Sequence, residues 1–534
     1  MYADANTLGV VTEGTFNAGL TVRLSSNCST ESLRVGSFVV LEGERNHYFS
    51  LITDIRLRVT DNALAAAPPL GGSPFVRRAL AGSHAYATVE VRPSLMLEDA
   101  GKLSGSKPGP VRNIPMHFAV LREATAVDFD HVFGEESTTR FALGTPPTMD
   151  IKIPIDLEEL VKRSNGIFGQ SGTGKSVLTR LLLFGIIKSD VASVLVFDMH
   201  GEYARQSSDE PEILGLVDLF GKSKVVVYSL EEGRGSNDFK IGLSQIEPGD
   251  IELLAEELNL TGTYGATTHQ LSERFGNLWL QRLIEMSPDV LEHFCSETGA
   301  HPAAVNALKQ KLAVLKSRDY ILEQAQTTAI DDLLGNLQRG KHVILQFGRY
   351  QSFLDYMLVA NIVTRRIHQK YTEQVLRQTN SPNGTAAAVR RLVIVLEEAH
   401  KFLAPEAAKQ SIFGTIAREM RKYAVTLLVV DQRPSGIDPE VMSQIGTRIT
   451  GLLTDQRDID AVLTGVSDRN QMRGMLATLR PKQECLILGH AMPMPIMLRT
   501  RTYDGPALRQ EIPKPTESTL DPEWLDKVIR GEED

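Results

Sequence analysis

The stretch "GIFGQSGTGKSVLTRLLLFGII", residues Gly166 to Ile187, decides the fold of this chain. It fits the spacing G-x-x-x-x-G-K-S/T through Gly169, Gly174, Lys175 and Ser176. The glycines allow tight turns and a close approach to phosphate, so that successive N–H groups and a helix amino end can face the anion. "NGIF" can end a strand and "SVLTRLLLFGII" can continue as a helix. The pattern predicts a P-loop, and the alternative is a Gly-rich turn that binds nothing.

The residues of this loop are predicted to hold ATP and its metal ion. The Lys175 ammonium is expected to reach the β- and γ-phosphates, and the Ser176 hydroxyl is expected to hold Mg²⁺. The predicted nucleotide-binding residues are Gly169, Gln170, Ser171, Gly172, Thr173, Gly174, Lys175, Ser176 and Val177.

A second stretch, "LVIVLEEAHKFL", puts two carboxylates directly after an apolar run. Such a run predicts a strand buried on both faces, and burying a carboxylate is costly unless it is paired or near a cation. Because α/β sheets bind ligands at their carboxyl edge and neighbouring strand residues point to opposite sides, the two acids are predicted to have different tasks. We expect Glu397 to support Mg²⁺ through its water shell and Glu398 to polarise the hydrolytic water. Two solvated strand-end acids are the alternative.

Two further predicted strands also end in polar residues. "VTLLVVDQRPSGID" ends at Asp431 and Gln432, and the Gln432 amide is suited to sense the γ-phosphate or to position water, although a plain turn would also fit. "SVLVFDMHGEY" carries a cluster of titratable side chains for which a role beside the nucleotide and a purely structural role both remain open. The members of this cluster are Asp198, His200 and Glu202.

Composition limits the class of protein. At 534 residues the chain is too long for one ordinary core, and 42% hydrophobic and 23% charged residues are typical of a globular protein. The net charge of -9 argues against a surface coated in basic residues, but it leaves open a locally basic channel. No segment approaches the length of a membrane span, "MYADANTLGV" lacks the features of a secretory signal, and three cysteines suit a reducing compartment. A cytoplasmic protein with no membrane partner is predicted.

The periodicity of the sequence predicts an α/β core that is interrupted by helices. Short β-rich segments separated by Gly, Asn and Ser fill the amino-terminal part, with "AAAPPLGGSPFVRRALAGSHAY" as a surface loop, and they predict a small closed barrel. Apolar residues at helical spacing fill residues 240–335. The predicted boundaries are an amino-terminal β-barrel (1–125), a linker (126–150), the first part of the core (151–239), an inserted helical subdomain (240–335), the second part of the core (336–500) and a carboxyl-terminal extension (501–534).

Taken in order, "GQSGTGKS", "FDMHGEY", "VLEEAHKFL" and "VVDQRPSGIDPEVMSQIGTRI" resemble the HerA-type ATPases of the HerA/FtsK superfamily over most of the chain. The resemblance implies a RecA-like P-loop NTPase core behind a small barrel, and a usually hexameric ring that translocates duplex DNA. It makes Lys175 and Ser176 Walker A residues, Glu397 and Glu398 the Walker B pair, and Gln432 a sensor-like glutamine. Asp431 departs from the pattern, since a small residue often precedes this glutamine, and an inward-pointing acid there is expected to weaken γ-phosphate sensing.

A ring would let one subunit supply an arginine to the next. No arginine lies within the P-loop motif, and a phosphoryl-transfer site gains greatly from a guanidinium at the γ-phosphate. In "SIFGTIAREMRKYAV" the apolar stripe leaves the basic residues on another face, which is either a solvated face or the trans element of a closed ring. The family resemblance favours Arg421 for this role, with Arg418 and Arg448 as alternatives.

The loop "KFLAPEAAKQS" contains Lys401 and Lys409, which are predicted to contact DNA phosphates unless the loop is simply solvated. The leading hypothesis is therefore an ATP-driven DNA translocase or helicase that acts as a homohexamer with a nuclease or other effector partner, in DNA end processing or anti-phage defence. Two alternatives remain: a secretion-type ATPase that moves protein, and a nucleotide-gated ring scaffold that activates an enzyme.

Overall fold

A computed structural model describes residues 7–60, 85–98, 108–206, 213–233, 237–260, 262, 264–323, 329–380, 388–466 and 469–513. The chain divides into two compact units. The first unit falls within residues 1–156 and 483–501, and the second within residues 157–482 and 502–534.

The strands of the described residues, in chain order, are β1 (Thr7–Thr15), β2 (Gly19–Leu24), β3 (Phe38–Glu42), β4 (Asn46–Val59), β5 (Ala85–Glu98), β6 (Gly109–Pro110), β7 (Val120–Glu123), β8 (Arg140–Thr145), β9 (Ile153–Asp156), β10 (Asn165–Phe168), β11 (Ser193–Asp198), β12 (Val225–Ser229), β13 (Asn237–Asp238), β14 (Ile241–Gly242), β15 (Ile321–Leu322), β16 (His342–Gln346), β17 (Leu392–Glu397), β18 (Val425–Asp431), β19 (Thr447–Thr450), β20 (Glu484–Gly489) and β21 (Ile496–Thr500).

The α-helices of the same residues are α1 (Ala126–Phe133), α2 (Leu157–Leu160), α3 (Lys175–Ser189), α4 (Leu216–Phe220), α5 (Pro248–Leu253), α6 (Tyr264–Phe275), α7 (Trp279–Glu285), α8 (Pro288–Thr298), α9 (Pro302–Lys316), α10 (Ala329–Gln338), α11 (Phe353–Thr379), α12 (His400–Leu403), α13 (Pro405–Gln410), α14 (Ile412–Glu419), α15 (Pro439–Gln444), α16 (Gln456–Val462), α17 (Arg469–Ala477) and α18 (Gly505–Gln510).

The first unit begins with a closed antiparallel barrel. Its strands follow the order β2-β1-β7-β3-β4-β5, and a further pairing of β2 with β5 closes the ring. Inward residues such as Leu20, Val22, Leu41, Val89 and Leu121 form its buried core. The prediction of an amino-terminal barrel is confirmed. The predicted surface loop covers residues 65–86, of which 65–84 lie outside the described residues, and Ala85 and Tyr86 begin β5.

Regular structure occupies much of the stretch that the sequence predicted as a linker, residues 126–150. Helix α1 begins there because Asp128 accepts hydrogen bonds from the Thr125 amide and hydroxyl, both at 2.7 Å, while Arg122 pairs with the same carboxylate at 2.7 Å. Strand β8 follows and pairs with β9 and with β21, which also pairs with β20. A helix cap set by a residue three positions away is easily missed in a polar stretch.

The second unit is built on a parallel sheet with the order β13-β12-β16-β11-β17-β18-β10-β19. Every residue of β10, β11, β17 and β18 is buried, as expected for strands covered on both faces. Helix α3 is buried continuously from Leu178 to Ile187, which explains its lack of an amphipathic pattern. The predicted α/β core is confirmed.

Helices α5 to α10 interrupt the sheet between β14 and β16 in chain order, with the short pair β14–β15 among them. The buried Trp279 anchors this segment, because its indole N–H donates to the Ile246 carbonyl at 2.9 Å. The described part of the carboxyl-terminal extension contacts the second unit, where the Tyr503 hydroxyl donates to the Leu214 carbonyl at 2.8 Å. Among the described residues, no helix is both long and apolar enough to cross a membrane.

Candidate nucleotide-binding site

The P-loop connects β10 to the amino end of α3. Gly172 and Gly174 have φ values of +74° and +89°, a left-handed conformation that favours glycine. Gly174 also packs closely, since a Cβ atom there would lie 3.4 Å from the Lys482 Cα atom. The base of the loop is held by the Gln170 carbonyl, which accepts from the Thr173 hydroxyl at 2.7 Å and from the Lys175 ammonium at 2.8 Å. The loop is therefore built for a close backbone approach to an anion.

A cavity of about 880 Å³ opens over this loop, large enough for a nucleotide. It brings together residues from five separate parts of the sequence. The lining residues are Ser171, Gly172, Gly174, Lys175, Ser176, Val177, Arg180, His200, Gly201, Glu202, Glu397, Glu398, Val430, Gln432 and Lys482. Of the predicted loop residues, Gly169, Gln170 and Thr173 are not in this lining; Gln170 and Thr173 hold the base of the loop.

Glu397 is the last residue of β17 and is buried at the floor of the cavity. Its Oε1 accepts from the Tyr203 hydroxyl at 2.6 Å, whereas its Oε2 has no hydrogen-bond partner among the described residues. Burial raises the pKa of Glu397 to about 8, an effect that the Tyr203 hydrogen bond reduces and the nearby Asp198 carboxylate strengthens. A buried carboxylate oxygen without a partner suits a hydrated divalent cation, and the Ser176 hydroxyl lines the same cavity.

Glu398 follows directly but lies beyond the end of the strand. Its φ of +47° turns the backbone into the left-handed region, so the pleat of the strand does not account for the different environments of the two acids. The Glu398 Oε1 accepts from the Gln432 amide at 2.9 Å, and the carboxylate is partly exposed to the cavity. Lys175 shares this cavity; burial lowers the pKa of its ammonium, and the nearby Glu398 carboxylate opposes that effect. An acid and an amide are thus joined beside the phosphate-binding loop.

Asp431 does not line the cavity, so the inward orientation that would have weakened γ-phosphate sensing is absent. Its side chain is fully buried and accepts from the His400 backbone N–H at 2.6 Å and from the Arg433 N–H at 2.6 Å. Gln432, the next residue, does line the cavity. The two residues at the end of β18 therefore face different surroundings.

The loop after β11 divides the predicted cluster of Asp198, His200 and Glu202. His200 and Glu202 line the cavity, whereas Asp198 is buried and shapes the loop. The Asp198 carboxylate accepts from the Glu202 N–H at 2.8 Å and from the Tyr203 N–H at 3.2 Å, and burial raises its pKa. Asp198 thus holds the loop that carries Tyr203 to Glu397.

The three candidate arginines lie in different environments. Arg421 is exposed in the turn after α14, and Arg418 is half-buried and donates to the Ala408 carbonyl at 3.1 Å. The environment of Arg448 contradicts its candidate role as the arginine supplied to a neighbouring subunit. Arg448 is only 5% exposed, and its guanidinium donates to the carbonyls of Val462, Thr464 and Met442 at 2.6, 2.6 and 3.0 Å. A guanidinium committed to three carbonyls inside its own chain cannot serve a neighbouring subunit.

Of the two lysines predicted to contact DNA, Lys401 is exposed, with its Nζ 4.4 Å from the centre of the Phe353 ring. The side chain of Lys409 lies outside the described residues.

The sequence-based prediction missed several lining or supporting residues, among them Tyr203 and Lys482. Tyr203 ends the quoted segment "FDMHGEY", so its position in that motif was an available signal. Lys482, which lies in the cavity wall with a φ of +62°, sits in no recognised motif, and only the fold brings it to the P-loop.

Comparison with known proteins agrees with this geometry. A family model described as "Helicase HerA, central domain" matches residues 141–367, which include the P-loop. The chain is 23% identical over 450 residues to the DNA double-strand break repair helicase HerA of Pyrococcus furiosus, covering 76% of each chain. Residues 141–367 thus match the HerA central domain, and the chain is similar to HerA-type ATPases over most of its length.

Other similarities extend beyond the residues that match the HerA central domain. The chain is 24% identical over 485 residues to the DNA double-strand break repair helicase HerA of Sulfurisphaera tokodaii, covering 89% of this chain and 90% of that protein. Among solved structures, VirB4 of Thermoanaerobacter pseudethanolicus is similar at 14% identity with a TM-score of 0.45, covering 69% of this chain and 98% of that one.

Proposed function

We propose that this protein couples ATP hydrolysis to the movement of duplex DNA. The observation that carries the proposal is the joint presence, in one cavity, of the P-loop lysine, a buried strand-end carboxylate and a second carboxylate tied to a glutamine. The similarity over most of the chain to proteins named as DNA double-strand break repair helicases supports DNA as the substrate that moves.

Each side chain has a stated task in this proposal. Lys175 and the P-loop amides bind the phosphates, and Glu398 accepts a proton from the attacking water. The water oxygen bonds to the γ-phosphorus as the bond to the β–γ bridging oxygen breaks, which leaves ADP and inorganic phosphate. Gln432 orients Glu398 and the water, since its amide already donates to this carboxylate.

Ser176 and Glu397 are the residues that would hold Mg²⁺, with Glu397 acting partly through water. The partnerless Oε2 of Glu397 supports this task, because a buried acceptor without a donor is costly unless something satisfies it. Mg²⁺ supplies neutralisation of the phosphate charge when it is bound.

The acting form is proposed to be a homohexameric ring. Arg421 is exposed in the turn after α14, and it is the candidate to reach the γ-phosphate bound by a neighbouring subunit. Lys401 and Lys409 are the candidates for sequence-independent contact with DNA phosphates. A nuclease or other effector is the proposed partner in DNA end processing or anti-phage defence.

The test compares ATP turnover with and without duplex DNA, alongside the native mass of the complex. We expect a mass of six chains and a turnover that duplex DNA raises and salt suppresses. A Glu398→Gln variant is expected to bind ATP normally and to lose turnover roughly 100- to 10,000-fold, the range of a lost general base. The motor proposal would be refuted if duplex DNA left the rate of ATP turnover unchanged and the protein did not shift labelled DNA at low salt.

A further inference from the structure

The partly exposed His400 and the fully buried Asp431 form a polar pair next to Glu398. The His400 Nδ1 lies 3.0 Å from Asp431 Oδ2 and 3.1 Å from Oδ1, and the His400 backbone N–H also donates to Oδ2 at 2.6 Å. The same Nδ1 is 3.7 Å from the Oε2 of Glu398. Because β17 and β18 are adjacent parallel strands, the turn after one meets the last residue of the other.

The Asp431 carboxylate needs a donor of this kind. It is fully buried, and a buried carboxylate is costly unless hydrogen bonds or a cation compensate it. The donors that contact it are the His400 ring, the His400 backbone N–H and the Arg433 backbone N–H, while the Lys175 ammonium acts at longer range. The hydrogen bond that the His400 ring donates to Asp431 raises the pKa of His400, which favours the imidazolium.

Two side chains lie beside the Glu398 carboxylate, and both depend on the end of β18: Gln432 directly, and His400 through Asp431. Gln432 donates to its Oε1 at 2.9 Å, and the His400 ring, fixed by the neighbouring Asp431, lies beside its Oε2. The backbone of Glu398 is left-handed, a conformation that a non-glycine residue keeps only when its surroundings impose it. His400 is itself packed tightly, since a Cβ atom on Gly436 would come 3.2 Å from the His400 Cβ.

We propose that Asp431 and His400 are positioning residues for ATP hydrolysis: the buried carboxylate fixes the His400 ring, and the ring holds Glu398 in the orientation that activates water. The inference rests on the proposed role of Glu398 as the water activator. It also gives a purpose to the acid that departs from the family pattern, because Asp431 supports the water activator from behind rather than facing the nucleotide.

The charged groups that face His400 are Asp431 from β18, Glu398 from the preceding turn and Lys401 from its own helix. The two carboxylates favour the protonated ring and the lysine opposes it. A group with a raised pKa keeps its proton below that pKa, so the contribution of the imidazolium is present at lower pH and is lost as the pH rises through it.

The test measures kcat, KM for ATP and the pH profile of kcat for Asp431→Asn and His400→Gln in the full chain. Asp431→Asn is expected to lower kcat roughly 10- to 100-fold, as for other outer-shell partners, with binding of a non-hydrolysable ATP analogue unchanged. In Asp431→Asn, the decline of kcat at alkaline pH should move to lower pH, because His400 loses its anionic partner. His400→Gln should lower kcat and remove that decline, and it carries the test alone if Asp431→Asn does not fold.

Asp438→Asn is the matched control, since Asp438 also accepts two backbone N–H groups, those of Glu440 and Val441, but caps α15 and is not among the residues that line the cavity. A pH profile and kcat of Asp431→Asn equal to those of this control would overturn the inference, as would a loss of ATP binding that matches the loss of turnover. Glu398→Gln separates failure of the proposed water activator from failure of the positioning pair. If Glu398→Gln retains turnover, the proposed role of Glu398 is refuted. If Glu398→Gln loses turnover but Asp431→Asn retains it, only the positioning role of Asp431 and His400 is refuted.

Discussion

Replacing Tyr203 with Phe tests how the buried Glu397 carboxylate is supported. The Tyr203 side chain is fully buried, and its hydroxyl donates to the Glu397 Oε1 at 2.6 Å. The other oxygen, Oε2, has no hydrogen-bond partner among the described residues. Tyr203→Phe therefore removes the one side-chain donor that the structure gives this carboxylate, with little change in side-chain volume.

The expected cost follows from leaving a buried acceptor without its donor. Such a loss typically costs about 1–3 kcal/mol. We expect the free energy of unfolding of the second unit to fall by roughly 2 kcal/mol at neutral pH. Because the Tyr203 hydrogen bond lowers the pKa of Glu397, its removal should also favour the protonated acid and raise the Mg²⁺ concentration needed for half-maximal turnover.

Tyr371 offers a matched control. It is 1% exposed in α11, and its hydroxyl has no hydrogen-bond partner among the described residues. Tyr371→Phe removes an unsatisfied buried hydroxyl, so it should leave stability unchanged or raise it. The same chemical change is thus predicted to lower stability at Tyr203 but not at Tyr371.

Urea unfolding followed by tryptophan fluorescence measures both variants. The chain has two tryptophans, and Trp524→Phe leaves the buried Trp279 as a reporter for the second unit. The dependence of the free energy of unfolding on urea concentration should be the same in all variants, so that a shift in the unfolding midpoint reports a change in stability. Equal midpoints for Tyr203→Phe and Tyr371→Phe, with the same dependence on Mg²⁺, would refute the assignment of Tyr203 as the support of Glu397.

Three further substitutions test the other assignments. Lys175→Ala should abolish ATP binding in equilibrium dialysis, and normal binding would contradict the phosphate assignment. Arg421→Ala should lower kcat roughly 1,000-fold, as for other arginines supplied in trans. Turnover should partly return when Arg421→Ala subunits are mixed with Lys175→Ala subunits. An unchanged kcat in Arg421→Ala alone would exclude Arg421 from this role. Arg448→Met should lower stability, because it leaves three carbonyls without their donor. We expect thermal unfolding to show a loss of about 3 kcal/mol in the free energy of unfolding. A loss of turnover at unchanged stability would contradict the structural role of Arg448.

Local pattern was sufficient for the elements that depend on neighbouring residues. The spacing from Gly169 to Ser176 requires left-handed glycines between a strand and a helix, and the structure has this turn. The uninterrupted apolar runs of β11, β17 and β18 predicted strands buried on both faces, which these strands are. The linker was less predictable, since the cap that begins α1 depends on a hydrogen bond between residues three positions apart in a polar stretch.

By itself, the sequence determined the P-loop, the acids at the strand ends and the α/β class, because each follows from the chemistry and spacing of adjacent residues. Only the tertiary structure decided which side chains support them. The order β11-β17-β18 brings Tyr203 to Glu397, 194 residues away, and His400 to Asp431, and it leaves Arg448 enclosed. The physical reason is that the carboxyl ends of adjacent parallel strands share one edge, and the order of strands along that edge is set by the packing of the whole sheet.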